Sequence, residues 1–344
     1  MTVAAADRVL HEVRAHGRRD LRRDALTIAL GAVMVAALVA VMLMVGAVPV
    51  SPADVWLVLT GHAVPGAGFV VGELRLPRAI GAVITGAAFG VSGAIFQTML
   101  RNALATPDVI GINAGASVAA VIAISLGISG IGIAALAFGG AVVTALLVWV
   151  LAYRRGFSDL RFVLVGVAIG TGLQALVAYV LTKIQLAQAE QAVVWMTGSL
   201  NRSLWDTVTP ALIALAVLLP VVVIAARPLA ALRLGDDVAA MLGVRVQASK
   251  IVLVITAVAL AAVATSVAGP LAFVAFLAGP IATRLVRREG TLLIVAALTG
   301  AAIVAAADLI GQHLVGIVLP AGVVTGIAGG PVLLWLLLTG RTRL

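Results

Sequence analysis

The chain has 344 residues, of which 62% are hydrophobic and 11% charged, with a mean hydropathy of +1.19. So little charge cannot cover a water-soluble surface of this size. With no cysteine, neither a disulfide framework nor a thiolate metal site can form. The net charge of +9 does not point to nucleic acid, because the basic residues stand in short clusters between apolar runs, where they orient membrane spans.

Residues 26–53, 79–100, 109–153, 162–182, 207–226, 251–283 and 309–340 contain no Asp, Glu, Lys or Arg. A hydrocarbon core of roughly 30 Å takes about 20 helical residues, so these runs predict an all-α, polytopic membrane protein. Their apolar residues are continuous and do not alternate, which excludes a membrane β-barrel. Residues 1–25 form a basic cytoplasmic segment with six arginines, and the run after it is too long for a signal-peptide core, so 26–48 is expected to be a retained first span. The second span, 79–99, follows "RLPR" and carries Gly81, Gly86, Gly90 and Gly93, small residues that let backbones approach closely in lipid. The polar knot Arg101-Asn102 and Pro107-Asp108 end it.

Residues 109–153 suffice for two spans, 109–126 and 131–152, turning at "GISGIG". A fifth span covers 161–182. "QLAQAEQAVVWMTGSLNRSLWD" (185–206), with Trp195 and Trp205, predicts an interfacial helix on the membrane surface. After the span 207–226 comes the largest cytoplasmic insertion, about 227–249, which contains "LGDDVAAMLG". Asp236-Asp237 suits a helix N-terminus and Gly243 its stop, so a short helix projects there with Val238, Met241 and Leu242 at helical spacing. Exposed apolar residues of that kind suit a docking knob for another protein.

Residues 251–283 are flanked by Lys250 and by Arg284, Arg287 and Arg288. If both ends are cytoplasmic, the chain crosses over 250–268, turns at Gly269-Pro270, and returns as a short helix over 271–283. Gly- and Pro-broken segments at membrane depth are tolerated against protein or a water-filled cavity, which makes Gly269, Pro270, Gly279 and Pro280 candidates to line a pathway. Spans at 291–312 and 320–339 bring the number to ten. With both termini cytoplasmic, only Arg75, Arg78, Lys183 and Arg202 of the 23 Lys and Arg face outward. The domain plan is therefore a basic segment 1–25, one transmembrane domain 26–340 and a tail 341–344.

No phosphate-binding glycine motif is present, and His11, His16, His62 and His313 lack ligand spacing, so neither a nucleotide site nor a metal site is expected in this chain. The acid within a span is Asp308, near the outer end of its helix. A proton- or ion-driven carrier keeps an ionisable group near the midplane. The energy for pumping is therefore expected from elsewhere. A self-sufficient secondary carrier and a membrane-embedded enzyme are the competing readings; the latter lacks paired catalytic residues at membrane depth.

Three separated blocks resemble the FecCD-type permeases of ATP-binding-cassette importers for ferric siderophores, haem and cobalamin. They are "RLPRAIGAVITGAAFGVSGAIFQTMLRNALATPDVIGINAGAS", "LRLGDDVAAMLGV", and "GPLAFVAFLAGPIATRLV" together with "ADLIGQHLVGIVLPAGVVTGIAGGPVLLWLLL". The resemblance implies ten spans in the bacterial inner (plasma) membrane and a second permease subunit, identical or a sister chain. It also implies two cytoplasmic ATPase subunits carrying ATP and Mg²⁺, and an extracytoplasmic substrate-binding protein. No cofactor is implied in this chain itself. By position it implies binding-protein docking at Arg75 and Arg78. ATPase coupling would fall on Leu234, Gly235, Asp236, Asp237, Val238, Met241, Leu242 and Gly243. A cytoplasmic gate would fall at Asn102, Leu104, Ser158 and Asp159. The implied cargo is a ferric siderophore, with cobalamin or haem as the alternatives. Departures from the family pattern are Gly279-Pro280 for Pro-His, Ala103 for a proline, and Val318 and Gln312 where charges are common; they motivate a heterodimer with a sister permease.

Overall fold

The computed structural model describes residues 3–108, 110–153, 158–287, 289–313 and 317–338, with side chains from Arg19 onward except those of Glu289, Leu336 and Leu337. Arg154 and Arg155, which the expected topology places in the cytoplasm, together with Arg288 and the tail 341–344, lie outside the described residues.

The described elements are helical throughout. Helices α1 (Val3–Met44), α2 (Pro52–Leu59) and α3 (Ala67–Phe69) lead through a π-helical turn (Val70–Arg75) into α4 (Leu76–Met99). Next come α5 (Ile112–Ser125), α6 (Ile131–Ala152), α7 (Asp159–Leu181), α8 (Leu186–Met196), α9 (Trp205–Leu232) and α10 (Asp236–Met241). The chain ends with α11 (Val246–Ala268), α12 (Val274–Leu285), α13 (Leu292–His313) and α14 (Ala321–Leu338). Seven helical segments are long and apolar enough to cross a bilayer, and three shorter apolar helices, at 112–125, 274–285 and 321–335, complete the ten expected spans.

Helix α4 is the axis of the fold. It packs on α13, α11 and α12 at once, and its glycines explain how. A methyl group at Gly86 would collide with the Gly300 backbone, at Gly90 with the Ala296 carbonyl, and at Gly93 with the Ala275 backbone. The spacing i, i+4, i+7 places all three on one face, so α13 and α12 approach α4 to backbone contact. Helices α1, α7 and α9, by contrast, leave most of their surface uncovered, as lipid-facing helices do.

Several expected boundaries are corrected. The basic segment and the first span are one unbroken helix of 42 residues, about 63 Å at 1.5 Å per residue, so its basic end projects well beyond the hydrocarbon core. The stretch 185–206 is not a single surface helix: α8 stops at Met196, Gly198 takes φ 77°, and Trp205 already opens α9, donating its Nε1 to the Gly72 carbonyl. The insertion 227–249 is mostly helix as well. Its first six residues extend α9 and its last four open α11, leaving α10 as the projecting element.

The third span is shorter than 109–126, because residues 100–108 and 110–111 form turns that climb into the bundle. Ile110 and Gly111 lie against Gly166 and Gly170 of α7. Gly170 is eleven residues from the start of α7, a rise of about 16 Å. Helix α12, with 12 residues and so about 18 Å long, traverses roughly half a bilayer core, as expected for a returning short helix.

Candidate functional site

Where α4 ends, the backbone turns through Arg101 in the left-handed region at φ 48°, a conformation uncommon for a residue with a side chain. Asn102 fixes the turn. Its N–H donates to the Gln97 carbonyl, and its Oδ1 accepts from the Leu104 N–H at 2.9 Å, the local bond that makes asparagine a turn residue. Gln97, buried in α4, donates Nε2 to the carbonyls of Ala103 (3.0 Å) and Phe276 (3.1 Å), joining this turn to α12. Its Oε1 fills the space where Gly279 would carry a Cβ, which gives a physical reason for glycine at that position. Gly279 and Pro280 are both buried, Gly279 against Gln97 and Ala94 of α4.

Asn102, Leu104 and Asp159 meet around one cleft together with Leu100, Thr106 and Leu160. Ser158 stands beside them as the residue before α7, without a side-chain capping bond. The expected gate residues thus converge at one place in space. Asp108, on the climbing connection, accepts from the Asn113 side-chain amide, and Asn113 Oδ1 accepts from Thr265 Oγ1 at 2.8 Å, which ties α5 to α11.

The knob is built as its residue pattern predicts. Gly235 at φ 109° starts α10 and Gly243 at φ 83° follows its end, both conformations that favour glycine. Ala239 is buried and anchors the helix, while Leu234, Val238, Met241 and Leu242 are exposed, Met241 at 88%. Asp237 faces solvent. Asp236 turns inward, its Oδ2 2.7 Å from Lys250 Nζ and its Oδ1 3.9 Å from Arg101. Lys250 also reaches both carboxylate oxygens of Asp159 at 3.1 Å.

At the opposite end, Arg75 and Arg78 are not free outward charges. Arg75 donates to the carbonyls of Leu43, Met44 and Val48, where α1 ends and its carbonyls lack helical partners. Arg78 grips Asp308 with two bonds of 2.8 Å, and Gln312 Nε2 donates to the same carboxylate at 2.6 Å. Both guanidinium groups thus also hold elements of the chain together.

The turn at Gly269-Pro270 is held by α8 and the loop after it. The Ser199 N–H donates to the Ala268 carbonyl at 2.7 Å, Gly269 has φ 72°, and a Cβ there would strike the Trp195 carbonyl. Pro270 borders an open cleft with Asn113, Ser117, Gln174 and Met196.

Two further residues carry structural roles that the sequence reading passed over. Asp24 is buried in α1 and accepts from the Arg287 N–H (2.9 Å) and Thr291 Oγ1 (2.8 Å), fastening α1 to the turn between α12 and α13. Lys250 had served only as a topology marker. An acid lodged among arginines next to a span was the available signal for the first; a basic residue at the very start of a span was the signal for the second. Among the described residues, no group of three or more His, Cys, Asp or Glu side chains is placed to hold a metal ion.

A bundle of ten apolar helices with a tightly packed glycine helix, a cleft at one end and an apolar knob beside it defines a multi-pass transport permease. The chain belongs to the FecCD transport family, whose profile matches residues 33–339. It is similar to the ferric enterobactin transport system permease protein FepG of Escherichia coli (strain K12), 40% identical over 85% of this chain and 89% of the relative. A probable siderophore transport system permease protein, YfhA of Bacillus subtilis (strain 168), is 39% identical over 80% of this chain and 85% of the relative. The cobalamin import system permease protein BtuC of Halobacterium salinarum is 35% identical over 80% of this chain and 74% of the relative. In fold, the chain matches a solved inward-facing metal-chelate type ABC transporter with TM-score 0.81 and 21% identity, covering 91% of this chain and 98% of that one.

Proposed function

We propose that this chain is the membrane-spanning subunit of an ATP-binding-cassette importer that moves a ferric siderophore inward. Hydrolysis belongs to a pair of partner ATPases carrying ATP and Mg²⁺, and this chain performs no catalysis. The observation that carries the reading is α10. It is six residues long, bounded by two left-handed glycines, and turns Met241, Leu242 and Val238 to solvent on the face that this reading places in the cytoplasm. Apolar side chains exposed on a short helix that this reading places in water and not in lipid have the chemistry of a seat for another protein.

In this reading both termini are cytoplasmic, a second permease (a copy or a sister chain) completes the conduit, and an extracytoplasmic protein delivers the chelate. Arg75 and Arg78 serve the delivery face indirectly, by locking α1, α4 and α13 into its shape. The siderophore assignment follows the relatives named for siderophore transport, FepG and YfhA. The likeness to a cobalamin permease makes that ligand the second arm of the test.

The test is uptake into proteoliposomes containing the permease, its ATPases and the delivery protein. Accumulation of ⁵⁵Fe-siderophore that requires ATP is expected, with labelled cobalamin and haem left outside. Accumulation by this chain alone without ATP would establish a secondary carrier instead, and preference for cobalamin or haem would reassign the cargo.

A further inference from the structure

Given a motor protein seated on α10, as proposed above, we infer that Lys250 is the joint transmitting movement of α10 to the gate, a positioning residue that links two elements with no other direct bond between them in the described contacts. Lys250 lies in the first turns of α11 with its side chain 3% exposed. It reaches the first residue of α10, Asp236, at 2.7 Å and the first residue of α7, Asp159, at 3.1 Å through both oxygens. Asp236 in turn faces Arg101 at 3.9 Å, with that oxygen buried and without a hydrogen bond.

The chain of charges runs Arg101, Asp236, Lys250, Asp159. Its ends are the two walls of the gate cleft, because Arg101 adjoins Asn102 and Asp159 lines the cleft directly. A topology-setting lysine needs none of this, since it would extend its amine to water. A buried ammonium is weakly screened and costly to leave without a carboxylate. When α10 shifts and carries Asp236 with it, Lys250 must follow or fall back on Asp159, and either response moves the start of α7 relative to Asn102. One small helix is thus mechanically connected to both walls.

The experiment uses the complete importer in proteoliposomes and reads substrate moved per ATP hydrolysed. Native complex is measured first, so that a complex without ATP-driven uptake would sink the importer reading itself and be told apart from failure of the joint. Lys250→Met and Asp236→Asn are each expected to lower the ratio roughly tenfold, the usual size of a coupling between two sites. The two together should be no worse than one, because they break the same link. Lys250→Arg, which keeps the charge, should restore most of the ratio. Asp236 is two-fifths exposed and Lys250 keeps Asp159 when it is changed, so its variant tests the link at a smaller cost to the interior. The proposal is overturned if either single variant keeps the native ratio, if the double variant multiplies the losses, or if the ratio stays native while only the yield of folded complex drops.

Discussion

Arg78→Ala is expected to destabilise the chain by about 3 kcal/mol, near the lower end of the penalty for removing one partner of a buried ion pair. Asp308 is 1% exposed, and Arg78 supplies two of the three hydrogen bonds its carboxylate accepts. Without the guanidinium, a negative charge remains in the bundle with Gln312 alone. The arginine is about one-fifth exposed, so water partly replaces it, which is why the lower end applies. Asp308→Ala should cost less, because the stranded arginine can extend toward the outer surface. The pair Arg78→Met with Asp308→Leu should recover much of the loss, since no unpaired charge is then buried. Unfolding of the purified chain in detergent, followed by circular dichroism or a thermal-shift dye, measures all three. Equal, additive losses would show that the two residues act independently.

Gly93→Ala is expected to be comparably damaging, by about 3 kcal/mol, because overpacking against immovable atoms lies at the top of the usual range. The added methyl would meet the carbonyl oxygen, carbon and Cα of Ala275, all backbone. No rotamer change relieves that contact; α12 must move away from α4, and Gln97 would then lose its bond to the Phe276 carbonyl. Gly139→Ala on α6 is the control, since a Cβ there meets nothing within 4 Å. It should be neutral or stabilising by up to about 1 kcal/mol through helix propensity. Similar losses at both positions would mean that α4 gains nothing from backbone contact.

The features legible in the sequence were those set locally. Uncharged runs gave the ten apolar helices, and the charges flanking 251–283 gave the turn and short return that α11 and α12 form. Gly235, the acid pair and Gly243 marked α10 because its ends depend on backbone conformation and the helix dipole. What was hidden depends on partners distant in sequence. Arg78 and Asp308 are 230 residues apart, and nothing near either one signals the other. An arginine beside an outer loop does not reveal from the sequence which carboxylate of its own chain it holds. Lys250 was hidden in the same way, with Asp159 lying 91 residues away. Apolar composition also marks where a helix can lie, not where it must stop. The basic residues before the first span continue the same helix, which the end of the apolar run does not mark.

The central claim is that a separate motor grips α10 from the cytoplasm. Because the chain contains no cysteine, a Met241→Cys variant gives one thiol at a position 88% exposed. A membrane-impermeant maleimide should label it in inside-out vesicles and not in intact cells, and bound ATPase subunit should protect it. Labelling from the outer side, or undiminished labelling with the ATPase bound, would contradict the account.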